Sequence, residues 1–162
     1  MTGNATSPQT RARERAEATL PVDEALAPLL PDGGLARGTV TEVGDAGVLI
    51  QLATRPAQTE WVAVVDIPEF GDAAARSAGI TRLVRIEDTH GKFGDVALAP
   101  AFPVLIVRPP AAMPERAATR PASHLRTHGN VVLPYDHHWP GPQLRLDVTH
   151  RLWRGLGDGW AS

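Results

Sequence analysis

The chain has 162 residues, 43% of them hydrophobic, and a net charge of −2, which describes one domain with enough apolar material for a sizeable core. It contains no Cys, so disulfide and thiolate chemistry are excluded. The near-neutral balance supplies no global field for nucleic acid, and no stretch approaches the ~20 apolar residues of a membrane span.

Charge is uneven along the chain. Residues 38–113 carry six basic and nine acidic side chains, net −3, whereas 114–162 carry six Arg and four acids, net +2, with five of the six His. This pattern suits either a weak basic surface toward the C-terminal end or a solvated mixed one. The imbalance of fifteen Arg against one Lys reads as genomic base composition rather than Arg-specific recognition. The polar lead ending in Arg11-Ala12-Arg13-Glu14-Arg15 has no apolar region behind it resembling a signal peptide, so the expected compartment is the cytoplasm.

Residues 1–10 are rich in Thr, Ser, Asn, Gly and Pro and read as disordered. Residues 11–20 suit a short helix that Pro21 interrupts, and 1–25 together read as a flexible N-terminal arm. Its Arg11, Arg13 and Arg15, set against Glu14 and Glu17, could fold on a partner. The domain proper is expected over 26–162, beginning with a turn-rich segment through Leu35. Residues 39–43 alternate β-branched and polar side chains, which predicts a strand. Residues 48–53 suit a short helix closed at Pro56. The run 61–66 is continuously apolar up to Asp66, as in a strand buried on both faces of a parallel sheet. Asp72 caps a predicted helix that ends near Gly79.

Further strands are expected at 82–86, 104–107 and 131–133, with helices at 93–99 and, except at Pro121, over 115–128. Residues 143–149 alternate, with Leu144, Leu146 and Val148 on one face, which predicts a half-buried, antiparallel strand. Strands alternating with short helices imply βαβ units. The predicted fold is therefore α/β, a mainly parallel sheet flanked by short helices, with an antiparallel C-terminal edge extension.

The turn after residues 39–43 is where a nucleotide-binding α/β protein carries its phosphate loop. Such a loop needs G-x-x-x-x-G-K-[ST], so that backbone N–H groups cradle phosphate, a Lys neutralises it and a hydroxyl holds Mg²⁺. Here Gly44 and Gly47 are three apart, no Lys follows, and the lone Lys is Lys92. Asp45 puts negative charge where phosphate would sit. The expectation is a domain without nucleotide chemistry.

The lead-in Leu30-Pro31-Asp32-Gly33-Gly34-Leu35-Ala36-Arg37-Gly38-Thr39-Val40-Thr41-Glu42-Val43 resembles that of RecA-like domains. It is most similar to the ImuA group of RecA homologues and the related division inhibitor SulA. Val104-Leu105-Ile106-Val107-Arg108-Pro109-Pro110 resembles their Walker B strand, with Arg108 in place of the terminal acid. Residues 139–146 and 151–157 resemble their late strands. The resemblance covers about residues 26–160 and implies a RecA-like fold without the Walker A loop. It also implies a DNA-damage-response context. ImuA-type proteins are accessories to an error-prone Y-family polymerase, ImuB, in translesion synthesis; SulA-type proteins block the division GTPase FtsZ. The reading is therefore a non-catalytic accessory of the ImuA type with no cofactor, metal or catalytic residue. Its expected partner is an ImuB-type polymerase, with FtsZ as the alternative and any DNA contact weak or indirect; a residual nucleotide-binding protein is the second alternative.

Three clusters compete as sites. His137-His138, with His124, His128 and His150, offers metal ligands, but adjacent His residues in extended chain point apart, which suits loop histidines better. Asp66, Glu69, Asp72, Glu87 and Asp88 follow predicted strands, where open α/β sheets bind ligands, or they are loop and cap residues. Trp139, Trp153 and Trp160 lie near Arg145, Arg151 and Arg154. Trp and Arg are the side chains favoured at protein hot spots, so these six are the candidate partner contacts. The same tryptophans suit core packing over a sheet edge or, with the arginines, single-stranded nucleic acid.

Overall fold

The computed structural model describes residues 7–87, 89–90 and 102–152. The helices are α1 (Pro8–Ala18), α2 (Ala46–Thr54), α3 (Asp72–Ser77) and α4 (Glu115–His128). The strands are β1 (Thr19–Pro21), β2 (Gly34–Ala36), β3 (Thr41–Val43), β4 (Val62–Val65), β5 (Leu83–Ile86), β6 (Val104–Val107), β7 (Val131–Pro134) and β8 (Leu144–Leu146). The expected helix at 93–99 lies outside the described residues.

The three continuous apolar runs are the centre of the sheet. Every residue of β4, β6 and β7 is buried, and the strands pair in parallel in the order β5-β4-β6-β7. Beyond β7 the sheet continues through β3. Parallel bridges join Val40 to Val132 and Val43 to Tyr135, and the Val132 N–H donates to the Thr39 carbonyl at 3.1 Å. The two-residue period of a strand sends alternate side chains to opposite faces. One face collects Val62, Val64, Val104, Ile106, Val131 and Leu133 against Leu49 and Leu52 of α2, Ala75 of α3 and the N-terminal Leu20 and Leu35. The other collects Ala63, Val65, Leu105, Val107 and Val132 against Ala118 and Leu125 of α4. The mainly parallel α/β architecture read from the sequence is thus the observed one.

α4 is continuous through Pro121, contrary to the expected interruption. Pro removes one helical hydrogen bond, but here Pro121 is buried on the same stripe as Ala118 and Leu125, so packing on the sheet holds the helix. Gly129 closes it at φ 72, its N–H donating 2.8 Å to the Leu125 carbonyl.

Two expectations are corrected. β8 pairs in parallel with β3, in the register Thr41↔Leu144 to Val43↔Leu146; the antiparallel pairing lies instead between β1 and β2. Alternating burial marks an edge position but carries no direction. Direction is set by residues 135–143, which cross back over the α4 face with Trp139 seated in its core. The flexible arm does not extend to residue 25: Leu20, Val22 and Leu26 are buried, so the domain begins packing at β1. Apolar side chains this few were masked in the sequence by their polar neighbours. α1 precedes them, its N-cap Ser7 accepting from the Thr10 N–H at 3.2 Å.

Candidate functional site

The carboxyl end of the sheet is where an open α/β fold presents its ligand crevice. At the end of β3 only Gly44 and Asp45 separate the strand from α2. The Asp45 carboxylate accepts from the Val48 N–H at 3.0 Å, and its second oxygen pairs with Arg151. The positive end of α2, a ready anion site in phosphate-binding folds, is therefore occupied by the protein's own carboxylate. Gly44 leaves no slack: its N–H donates 3.0 Å to the Leu146 carbonyl, and a Cβ there would collide with the Asp147 carboxylate. Two acids and a tight strand connection stand where a phosphate would need N–H donors and a cation.

The end of β6 is equally committed. Arg108 pairs with Glu69, which follows β4, and its Nε lies 3.2 Å from the carboxylate of Asp136, which follows β7. The hydrogen bond from Arg108 holds the Glu69 carboxyl below the usual carboxylate range. One guanidinium thus ties three strand ends together. Asp66 and Asp136 both adopt left-handed backbone, φ 54 and 71, a conformation that short polar side chains tolerate.

The predicted acidic cluster does not converge. Asp66 accepts from the Thr89 N–H at 3.1 Å, Glu69 is on Arg108, and Asp72 and Glu87 share Arg85 at 2.7 and 3.1 Å. Asp88 lies outside the described residues. The histidines also separate: His137 Nδ1 donates to the Pro109 carbonyl at 2.7 Å, whereas His138 Nδ1 meets Glu42 at 2.8 Å. His124 and His128 stack on α4 with ring centroids 3.9 Å apart, and His150 Nδ1 lies 3.3 Å from the Thr149 hydroxyl. Among the described residues no group of three or more His, Cys, Asp or Glu is placed to hold a metal ion.

The three predicted partner contacts that are described, Trp139, Arg145 and Arg151, are not gathered on one surface. Trp139 is 2% exposed, packed in the α4-face core, which removes it as a surface contact. Arg145 stays exposed while its Nε lies 3.0 Å from Glu42, and Arg151 is on Asp45. Trp153, Arg154 and Trp160 lie outside the described residues.

The residue that sequence reasoning missed is Glu42. It is 6% exposed within a wholly buried strand and accepts from His138, from the Trp139 N–H at 3.1 Å and from Arg145. The signal was present, because a carboxylate inside a short buried strand must find partners. Burial alone would raise its pKa; the hydrogen bonds from His138, Trp139 and Arg145, with the Arg145 charge, outweigh burial and hold it below 4.5. A depressed folded pKa stabilises the fold above the unfolded value and loses that contribution as pH falls through the folded one. Glu42→Gln is therefore expected to cost about 1–3 kcal/mol at neutral pH. The gap to the native protein should close as pH drops below 4.5, read by urea unfolding at several pH values. A gap independent of pH would show that charge at Glu42 is immaterial.

Residues 28–141 match the family model described as the MT3502 N-terminal domain. The chain belongs to that family. The MT3502 N-terminal segment takes in β2 to β7 and the crossing that carries Trp139, so the whole central sheet, the Asp45 cap and Arg108 fall within it. Among solved structures the chain is similar to a crystal structure of the RadB recombinase, with 17% identity and a TM-score of 0.47 over 74% of this chain and 70% of that one. No curated protein matches the sequence. No helix among the described residues is long and apolar enough to cross a membrane.

Proposed function

We propose that this MT3502 N-terminal domain is a non-catalytic, RecA-like binding module: an accessory protein of the ImuA type that engages a Y-family, ImuB-type polymerase in translesion synthesis. The observation that carries the non-catalytic part is the Asp45 cap. The helix end that a nucleotide would use is satisfied by Asp45 and flanked by Asp147, and the Walker B position holds Arg108, already paired with Glu69 and Asp136. A domain that keeps the scaffold and fills its crevice with internal ion pairs is left with its surface to work with. The choice of partner rests on the likeness of residues 30–43 and 104–110 to ImuA-type proteins.

Two measurements test the two halves. Titration calorimetry with Mg-ATP is expected to show no binding. A dissociation constant below about 1 mM, roughly 4 kcal/mol of affinity, would overturn the non-catalytic reading. Affinity capture after DNA damage is expected to recover the Y-family polymerase. Recovery of the division GTPase FtsZ in its place would transfer the protein to the SulA-like class.

A further inference from the structure

We infer that the outward side of α4, with the groove beside it, docks an acidic segment of a protein partner. The inference builds on the reading that the domain works through protein contacts, and it assigns that contact a surface and a chemistry.

α4 carries Arg116, Arg120 and Arg126 against one acid, Glu115 in its first turn, so a chain of net charge −2 holds a helix of net +2. Ala118, Pro121 and Leu125 are its buried stripe. On the opposite side Arg116, Arg120, Ser123 and Thr127 follow at i, i+4, i+7 and i+11, which aligns them along one exposed face. Elsewhere Arg85, Arg108, Arg145 and Arg151 are bound to carboxylates of the same chain. Among the described residues no carboxylate pairs with Arg116, Arg120 or Arg126, and all three are exposed.

Alongside this face lies an open groove of about 310 Å³ between α4 and the 140–141 turn. Its floor is small and apolar, made by Ala118, Ala122, Pro140 and Gly141, and Arg126 stands on its rim. A segment with carboxylates for the arginines and a small apolar side chain for the floor matches both features. Polynucleotide matches less well: among the described residues no aromatic ring lines the groove for a base to stack on. Exposed charges of this kind steer encounter and make binding salt-dependent.

The test uses the full chain and a short fluorescein-labelled peptide of alternating Glu and Ala, with a Lys–Ala peptide and a single-stranded oligonucleotide alongside. Fluorescence anisotropy is expected to show binding of the Glu–Ala peptide alone, weakened by salt. Arg116→Glu/Arg120→Glu/Arg126→Glu should lower the affinity at least about fivefold, as three exposed pairs would, while melting like the native protein. Absence of peptide binding, or equal binding by the triple variant, overturns the inference. Tighter, equally Arg-dependent binding of the oligonucleotide overturns it in favour of a nucleic-acid face. Capture of purified Y-family polymerase separates the two readings. If the native chain and the triple variant capture it equally, α4 is excluded and the accessory reading stands. If the native chain captures none, the accessory reading fails, and the peptide result alone judges α4.

Discussion

Ile106→Asp is expected to leave no cooperatively folding protein. Ile106 is 0% exposed at the centre of β6, between β4 and β7, and its side chain lies on the face closed by α2. A carboxylate there has neither water nor a cation, which costs several kcal/mol against a total stability of about 5–15 kcal/mol. Val64→Asp tests the same face from β4, and Val132→Asp tests the α4 face from β7. All three are expected to be insoluble, or soluble without a sigmoidal melt by circular dichroism. Cooperative melting by all three variants would refute the assignment of β4, β6 and β7 as the core.

Trp139→Ala is expected to destabilise the domain by about 3–5 kcal/mol, the usual cost of emptying a buried aromatic site. The indole belongs to the same core cluster as Val40, Leu125 and Val132, on the crossing that brings the chain from the end of β7 to β8. Its backbone N–H also answers Glu42, so slack at Trp139 should loosen Arg145 and the β3–β8 pairing with it. Trp139→Phe, which refills most of the space, should recover a large part of the loss. Urea unfolding measures both. The opposite pattern, native-like unfolding by Trp139→Ala together with lost polymerase capture, would return Trp139 to the role of a surface contact.

Trp139 also shows where sequence reasoning stops. A Trp among Arg and His residues reads as core, as an interface anchor or as a nucleic-acid contact, because composition and spacing do not say on which side of the chain the sheet lies. The strands did not have this ambiguity. Val62–Val65, Val104–Val107 and Val131–Pro134 are apolar without a gap, and only a strand covered on both faces requires that. The α2 helix was legible as the gapless apolar run 48–53 closed at Pro56, whereas its Asp45 cap and the buried face of Leu49, Leu52 and Ala53 came with the structure.

What the sequence by itself determined is therefore local: which segments are strands or helices, that the central ones are buried on both faces, and that the G-x-x-x-x-G-K-[ST] pattern is missing around Gly44 and Asp45. These follow from periodicity, capping and the presence or absence of a Lys, all of which act within a few residues. Only the tertiary structure decided the parallel direction of β8, the burial of Trp139, the inclusion of Leu20 and Val22 in the core, and the partners of Glu42, Arg108 and Asp45. Each of these joins residues far apart in the chain. Glu42 meets His138, Trp139 and Arg145, Arg108 reaches Glu69 and Asp136, and Asp45 reaches Arg151. A buried charge announces that it needs a partner, but which partner it finds depends on how the sheet closes.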